Sequence, residues 1–352
     1  MMDLYLIIPE KTSDVLSQMI DEIIEGWNPI FIRDEKNLPN LQNKRIIFAV
    51  ELNDAGINLG LYRILTEIFR RGKQALYSSI GGILMHSNTE LYTKTVARDI
   101  IFLTNELGLS FLGRPLVEAT GSLSNFLTMQ KVSKKPLIDV CLDSCRDLSM
   151  RLKDPHLSAV ENPKILVLHA SSEHTSNTLM LWDMVKKHLG SHTVNEIHIE
   201  NGTVQDCIGC PYKICKHYGQ QTSCFYGGIM VEEVYPAILD SDVLIWLCPN
   251  YNDAISANLS AVVNRLTALF RKTKFYNKSF FSIIVSGNSG SDSVAKQLIG
   301  ALNINKTFRL PPYFSLMATA NDAGHINKVE NIHDLAKEFA LNVITETEKR
   351  LR

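Results

Sequence analysis

The sequence predicts an α/β protein built of two doubly wound parallel-sheet domains in tandem, each a three-layer α/β/α sandwich. Three observations predict it. Short apolar runs alternate with longer stretches of helical periodicity, the pattern of strands joined by crossover helices. Residues 243–248 and 280–285 are apolar on both faces, as strands in the middle of a parallel sheet are. The first half of the chain then repeats the plan of the second.

In the second half, residues 164–169, 196–200, 243–248 and 280–285 read as strands, and residues 179–189 and 257–271 as helices. In the first half, residues 4–8 and 44–50 read as strands. Asn53-Asp54-Ala55, Asn58-Leu59, Leu65-Thr66 and Ile68-Phe69-Arg70 follow the second of these. Asn252-Asp253-Ala254, Asn258-Leu259, Leu266-Thr267 and Leu269-Phe270-Arg271 follow residues 243–248 in the same order, which points to duplication. Charge and two prolines interrupt the pattern between Lys153 and Pro163, so the expected domains are residues 1–155 and 160–352.

A chain of 352 residues exceeds one ordinary domain, and 45% hydrophobic with 21% charged residues excludes a disordered or fibrous chain. A net charge of −1 gives no electrostatic ground for binding nucleic acid or a membrane surface. Residues 1–5 carry no basic leader and no later run is long enough to span a bilayer, so a cytoplasmic protein is expected. Four of the seven cysteines crowd into eighteen residues, which reads as metal-binding or redox thiols rather than a disulfide framework.

Between the first strand of the second half and its helix lies Ala170-Ser171-Ser172-Glu173-His174-Thr175-Ser176-Asn177-Thr178. A strand-to-helix loop presents unpaired N–H groups and the positive helix end, and hydroxyls add donors, which suits a phosphate monoester. The same residue types also serve a plain capping loop. Neither a P-loop nor a Gly-x-Gly-x-x-Gly fingerprint is present. The segment resembles the Gly-Ser-Pro-Arg-x-x-Gly-Asn-Thr loop of the NADPH-dependent FMN reductase and iron–sulfur flavoprotein families, with Ser171, Asn177 and Thr178 on matching positions. Glu173 replaces the arginine of that pattern and is expected to face solvent. The resemblance covers roughly residues 164–325 and implies a flavodoxin-like fold in both halves, FMN as cofactor and NAD(P)H as co-substrate.

Two more loops leave strand ends, where open α/β sheets bind ligands. Pro249-Asn250-Tyr251-Asn252-Asp253-Ala254-Ile255-Ser256 is similar to the Pro-x-Tyr-x-x-x-Ile-Ser segment that lines flavin in these families, and Asn264-Arg265 stands where they carry Asp-Arg. Ser286-Gly287-Asn288-Ser289-Gly290 is the other. Tyr251 offers a face for a planar ring, and Gly287 and Gly290 allow close backbone approach. The resemblance assigns the phosphate to Ser171, His174, Ser176, Asn177 and Thr178. It assigns the ring to Pro249, Asn250, Tyr251, Asn252, Ser286, Gly287 and Asn288.

Cys207, Cys210, Cys215 and Cys224 form C-x2-C-x4-C-x8-C. Four thiolates in one loop can hold a 4Fe-4S cluster or tetrahedral zinc, or remain free beside the flavin. The segment resembles the iron–sulfur flavoprotein motif, whose spacing is C-x2-C-x2-C. His217 reads as a solvated side chain, and Cys141, Cys145 and Cys248 as core.

The first half has only residues 9–14 where the phosphate loop would stand, and Val50 and Leu52 in place of Pro249 and Tyr251; Gly81-Gly82 and Thr120-Gly121-Ser122 remain as loop elements. A degenerate domain that binds no flavin alone, and acts as a built-in partner subunit, is the expectation. Together these readings imply an NAD(P)H-dependent oxidoreductase passing electrons through FMN to a flavin, quinone or similar small acceptor, as a homodimer. One alternative is an iron–sulfur flavoprotein exchanging electrons with a ferredoxin-like partner. The other is a flavin-binding sensor that turns nothing over.

Overall fold

A computed structural model describes residues 2–155, 159–171 and 175–348. The chain divides into two compact units, residues 1–156 and 157–352. In the first, the elements are β1 (Asp3–Ile7), α1 (Asp14–Ile23), β2 (Asn28–Ile32), β3 (Arg45–Leu52), α2 (Leu59–Arg70), β4 (Ser79–Ser87), α3 (Thr93–Asn105), β5 (Leu109–Ala119), α4 (Leu127–Ser133) and α5 (Leu137–Lys153). The second has β6 (Ile165–His169), α6 (Asn177–Lys186), β7 (Val194–His198), α7 (Tyr212–Gln220), α8 (Tyr235–Asp240), β8 (Val243–Pro249), α9 (Ala257–Phe270), β9 (Ser279–Ser286), α10 (Ser291–Leu298), β10 (Ser315–Thr319) and α11 (Ile332–Glu348).

Each unit is a five-stranded parallel sheet, ordered β2-β1-β3-β4-β5 in one and β7-β6-β8-β9-β10 in the other. This is one strand order used twice, the doubly wound flavodoxin-like arrangement. Helices cover both faces: α1 and α5 pack on one side of the first sheet and α3 on the other, while α6 and α11 pack together in the second unit. The inner strands β4, β6, β8 and β9 are buried at every position, which explains their unbroken apolar runs. The edge strands β2 and β7 are half exposed. Cys141, Cys145 and Cys248 are fully buried. Among the described residues no helix is long and apolar enough to cross a membrane.

The order β7-β6-β8 places the switch point between β6 and β8, whose neighbours lie on opposite sides. The loops after β6, β8 and β9 therefore rise from adjacent strands at one end of the sheet.

One carboxyl in the first unit sits badly. Glu106 closes the C-terminus of α3, where the helix dipole disfavours negative charge, and its Oε1 has no partner among the described residues. Burial pushes its pKa up to about 7, against a smaller pull from Lys73. The folded state thus holds a proton that the unfolded chain releases at lower pH, and stability falls as pH rises from the ordinary carboxylate range through about 7. Glu106→Gln is expected to stabilise the first unit at pH 8 by on the order of 2 kcal/mol, with the gain shrinking at pH 5. Urea unfolding at the two pH values measures it.

Candidate functional site

The strand-end crown of the second unit begins at β6. His169 stacks on His198 across β6 and β7 at 4.6 Å, and Ser171 follows, 1% exposed. Its hydroxyl has no partner among the described residues. Ser176 caps α6 by accepting from the Leu179 N–H at 3.3 Å, and Thr178 is buried at the start of the helix. Asn177 is committed to the loop after β10: its Nδ2 donates to the carbonyls of Ala320 at 3.1 Å and Asp322 at 2.8 Å, and its Oδ1 accepts from the Ile326 N–H at 3.3 Å. Its side chain fastens the start of α6 to the loop after β10. The expectations for Glu173 and His174 lie outside the described residues.

After β8 the chain turns back on itself. Tyr251 and Ala254 form an antiparallel bridge, with Asn252 at φ 54° and Asp253 at φ 56° between them. Two successive left-handed residues make a type I′ turn, and Asn and Asp tolerate that conformation best among non-glycine residues. Gln297 on α10 clasps the turn, accepting from the Ile255 N–H at 3.2 Å and donating to the Asp253 carbonyl at 2.8 Å. Pro249 is buried as the last residue of β8, while Tyr251 stands 59% exposed at the hairpin.

Asn250 joins this hairpin to the loop after β9. Its Nδ2 donates to the Ser289 carbonyl at 2.9 Å, the Ser286 hydroxyl at 3.0 Å and Asp253 Oδ1 at 3.2 Å. The Ser286 hydroxyl also meets Ser291 Oγ at 2.6 Å. Gly290 has φ +87°, and a Cβ there would stand 1.8 Å from Asp253 Oδ1, so only glycine fits. At Gly287 a Cβ would come within 2.9 Å of Asn321 Oδ1, and Asn288 is exposed beside it. Two more buried atoms lack partners among the described residues: Asn250 Oδ1 and the Ser256 hydroxyl at the start of α9.

The corresponding end of the first unit is closed by its own side chains. Glu51, on β3, reaches the N-terminus of α1 and accepts from the Ser13 N–H at 3.0 Å and the Ser13 hydroxyl at 2.8 Å. His86 Nδ1, on β4, bonds the other Glu51 oxygen and stands 3.1 Å from Ser13 Oγ. Burial raises the Glu51 pKa, but the bonds from His86 and Ser13 outweigh it and leave the pKa below the ordinary carboxylate value. Asn58 caps α2, accepting from the Leu61 N–H at 2.8 Å and donating to the Glu51 carbonyl at 2.9 Å. A carboxylate of the chain itself thus occupies the helix end near which the second unit leaves the Ser171 hydroxyl without a partner among the described residues. Gly81 and Gly82 are not loop elements: both lie buried inside β4, where a Cβ would press on Leu109 and Ile47 at 2.7 Å. Ser122 is spent on Glu90, whose pKa the Ser122 and Thr120 hydroxyls hold down at about 2.

The four-cysteine loop is tied along α9. Asn258 Nδ2 donates to the Ile199 carbonyl at 3.0 Å and Asn201 Oδ1 at 2.9 Å, and Asn264 Nδ2 to Asp206 Oδ1 at 2.9 Å. Arg265, 3% exposed, donates to the Gly227 carbonyl at 2.7 Å. Asn264 and Arg265 therefore serve this loop. Cys207, Cys210, Cys215 and Cys224 line one cavity of about 150 Å³, with Tyr218, Phe225 and Tyr226 in the same wall. Yet no three Cys, His, Asp or Glu side chains among the described residues are grouped so as to hold a metal ion. The expected metal set thus does not fit as a ligand cage. Cys215 lies on α7, and aromatic rings stand in the wall among the sulfurs. His217 is exposed, beside Gln221 and the Tyr218 ring.

Residues 163–322 match the family model described as NADPH-dependent FMN reductase. Solved structures of similar fold include RosB bound to 8-demethyl-8-formylriboflavin-5′-phosphate, 14% identical over 54% of this chain and 80% of that one at a TM-score of 0.41. The NAD(P)H:quinone oxidoreductase of Methanothermobacter marburgensis is 12% identical over 52% and 94%, TM-score 0.37. An FMN-dependent NADH-azoreductase of Bacillus anthracis, in complex with FMN, is 10% identical over 52% and 99%, TM-score 0.34. Among curated proteins none matches the chain.

Proposed function

We infer that the second unit, which belongs to the NADPH-dependent FMN reductase family, holds FMN at its strand-end crown and serves an NAD(P)H-dependent oxidoreductase acting on a small acceptor such as a flavin or quinone. The observation that carries this reading is the contrast between the two crowns. In the first, Glu51, His86, Ser13 and Asn58 satisfy one another. At equivalent places in the second, Ser171, Asn250 and Ser256 keep buried oxygens without partners among the described residues, a costly arrangement unless a ligand supplies them.

Ser171, Ser176, Thr178 and the first N–H groups of α6 would receive the phosphate, with Asn177 holding the loop after β10 in place behind them. The hairpin of Pro249, Asn250, Tyr251 and Asn252 would border the ring on one side, and Ser286, Gly287 and Asn288 on another. Tyr251 is free to stack. When bound, FMN supplies the hydride and electron chemistry, so the side chains need only orient, bury and polarise it. Residues 160–352 are then the flavin domain and residues 1–155 a flavin-free repeat. Exchange with a ferredoxin-like partner would need a cluster at the four cysteines, which the loop geometry does not favour.

One FMN per full-length chain, bleached under argon by NADPH or NADH in stopped-flow mixing, is the expected result. No bound FMN, or two per chain, would overturn the site assignment. Bound flavin unreduced by either donor would make the chain a flavin-binding sensor.

A further inference from the structure

We propose that the cavity lined by Cys207, Cys210, Cys215 and Cys224 is a dithiol–disulfide site for a peroxide oxidant, with Cys224 as the thiol that closes the disulfide, and is not a metal centre. Four sulfurs share one cavity wall without forming a metal cage, which leaves them to react with each other or with an oxidant. Cys207 is exposed and the other three partly so, whereas Cys141, Cys145 and Cys248 are sealed in the cores. An oxidant therefore meets this group first.

The electrostatics suit that step. Arg265 and Arg271 border the cavity, and no carboxylate lines it. The nearby Asp206 is held away by its bonds to the Cys207 N–H at 2.7 Å and to Asn264. Cationic neighbours stabilise the negative charge that develops on the leaving oxygen. Cys224 shares the cavity wall with the other three sulfurs and alone of the four lies beyond α7, on the stretch that also brings Phe225 and Tyr226 into that wall, so it faces Cys207, Cys210 and Cys215 from a separate segment. Gly209, next to Cys210, has positive φ with nothing within 4 Å of where its Cβ would be, so no side chain packs against the backbone beside that sulfur.

The chemistry balances with hydrogen peroxide as oxidant. One sulfur attacks a peroxide oxygen, the O–O bond breaks, and a sulfenic acid and one water result. The sulfur of Cys224 then attacks the sulfenic sulfur, the S–S bond forms, and a second water leaves. Two thiols are oxidised by two electrons and one peroxide is reduced to two waters.

The test uses the full-length chain, purified under argon and analysed for iron and zinc. One equivalent of hydrogen peroxide should remove two maleimide-reactive thiols. Peptide mapping should find a disulfide containing Cys224, and dithiothreitol should restore both thiols. Cys224→Ser should bind FMN as the parent does, form that disulfide at least 10-fold more slowly, and accumulate a sulfenic acid that dimedone traps. An unchanged thiol count at one equivalent, stoichiometric iron or zinc held by the loop, or a variant that closes as fast as the parent would overturn the proposal.

Discussion

Asn250→Ala is expected to weaken FMN binding about 100-fold, roughly 2.7 kcal/mol, because one side chain joins both loops that flank the candidate ring site. Its three donor contacts run to Ser289, Ser286 and Asp253, and its Oδ1 is left over. Without it the hairpin after β8 keeps the Gln297 clasp to α10 but loses its side-chain bonds to Ser286 and Ser289, so the ligand must order the turn after β9 as it binds. Asn250→Asp separates this from a simple loss of volume: the carboxylate keeps the shape, removes the donors and adds repulsion with Asp253. Both variants should fall together in a flavin-fluorescence titration. If Asn250→Asp binds as the parent does, the joining role is wrong.

Glu51→Ala is expected to destabilise the first unit by about 3 kcal/mol at pH 7, since it strips two bonds from Ser13 and one from His86 at a charged acceptor. The pH dependence has a definite sign. The folded-state pKa of Glu51 is depressed, so its contribution is present above the ordinary carboxylate pKa and is lost as pH falls through the lowered folded value. Denaturant unfolding should therefore show the parent and the variant converging in acid. FMN stoichiometry should not change. A variant that gained a second FMN would mean that Glu51 alone keeps the first crown shut.

Much of the fold was legible because burial on both faces writes itself as an apolar run: β6, β8 and β9 are within a residue or two of their expected spans. The edge strand β7 begins and ends two residues earlier than its expected span, and β2, β5 and β10, also at sheet edges, were not expected. An edge strand is half solvated, and Pro29 within β2 weakens its signature further. β4 was hidden by Gly81 and Gly82, which read as a loop but are needed for close packing against Leu109, Phe111 and Ile47. Within the candidate site, Asn250, Tyr251 and Asn252 were legible as a strand-end loop, whereas Pro249, expected in it, closes β8. What could not be read was which side chains the loops use on each other. Nothing local marks Gln297, 42 residues beyond Ile255, as the clasp of the hairpin. Nor did the Asn177 of the phosphate loop announce that it binds carbonyls after β10. The metal expectation depended on spacing alone, and spacing does not tell that α7 begins between the second and third cysteines.

The Gln297 clasp has a consequence for how the protein acquires its flavin. The Asn252–Asp253 turn is closed by contacts that involve no ligand, so the hairpin is already rigid in newly made, unloaded chains. If FMN binds at the proposed crown, loading at this hairpin resembles a key entering a finished lock. Uptake should be limited by encounter rather than by rearrangement, and chains stripped of flavin should recharge without refolding.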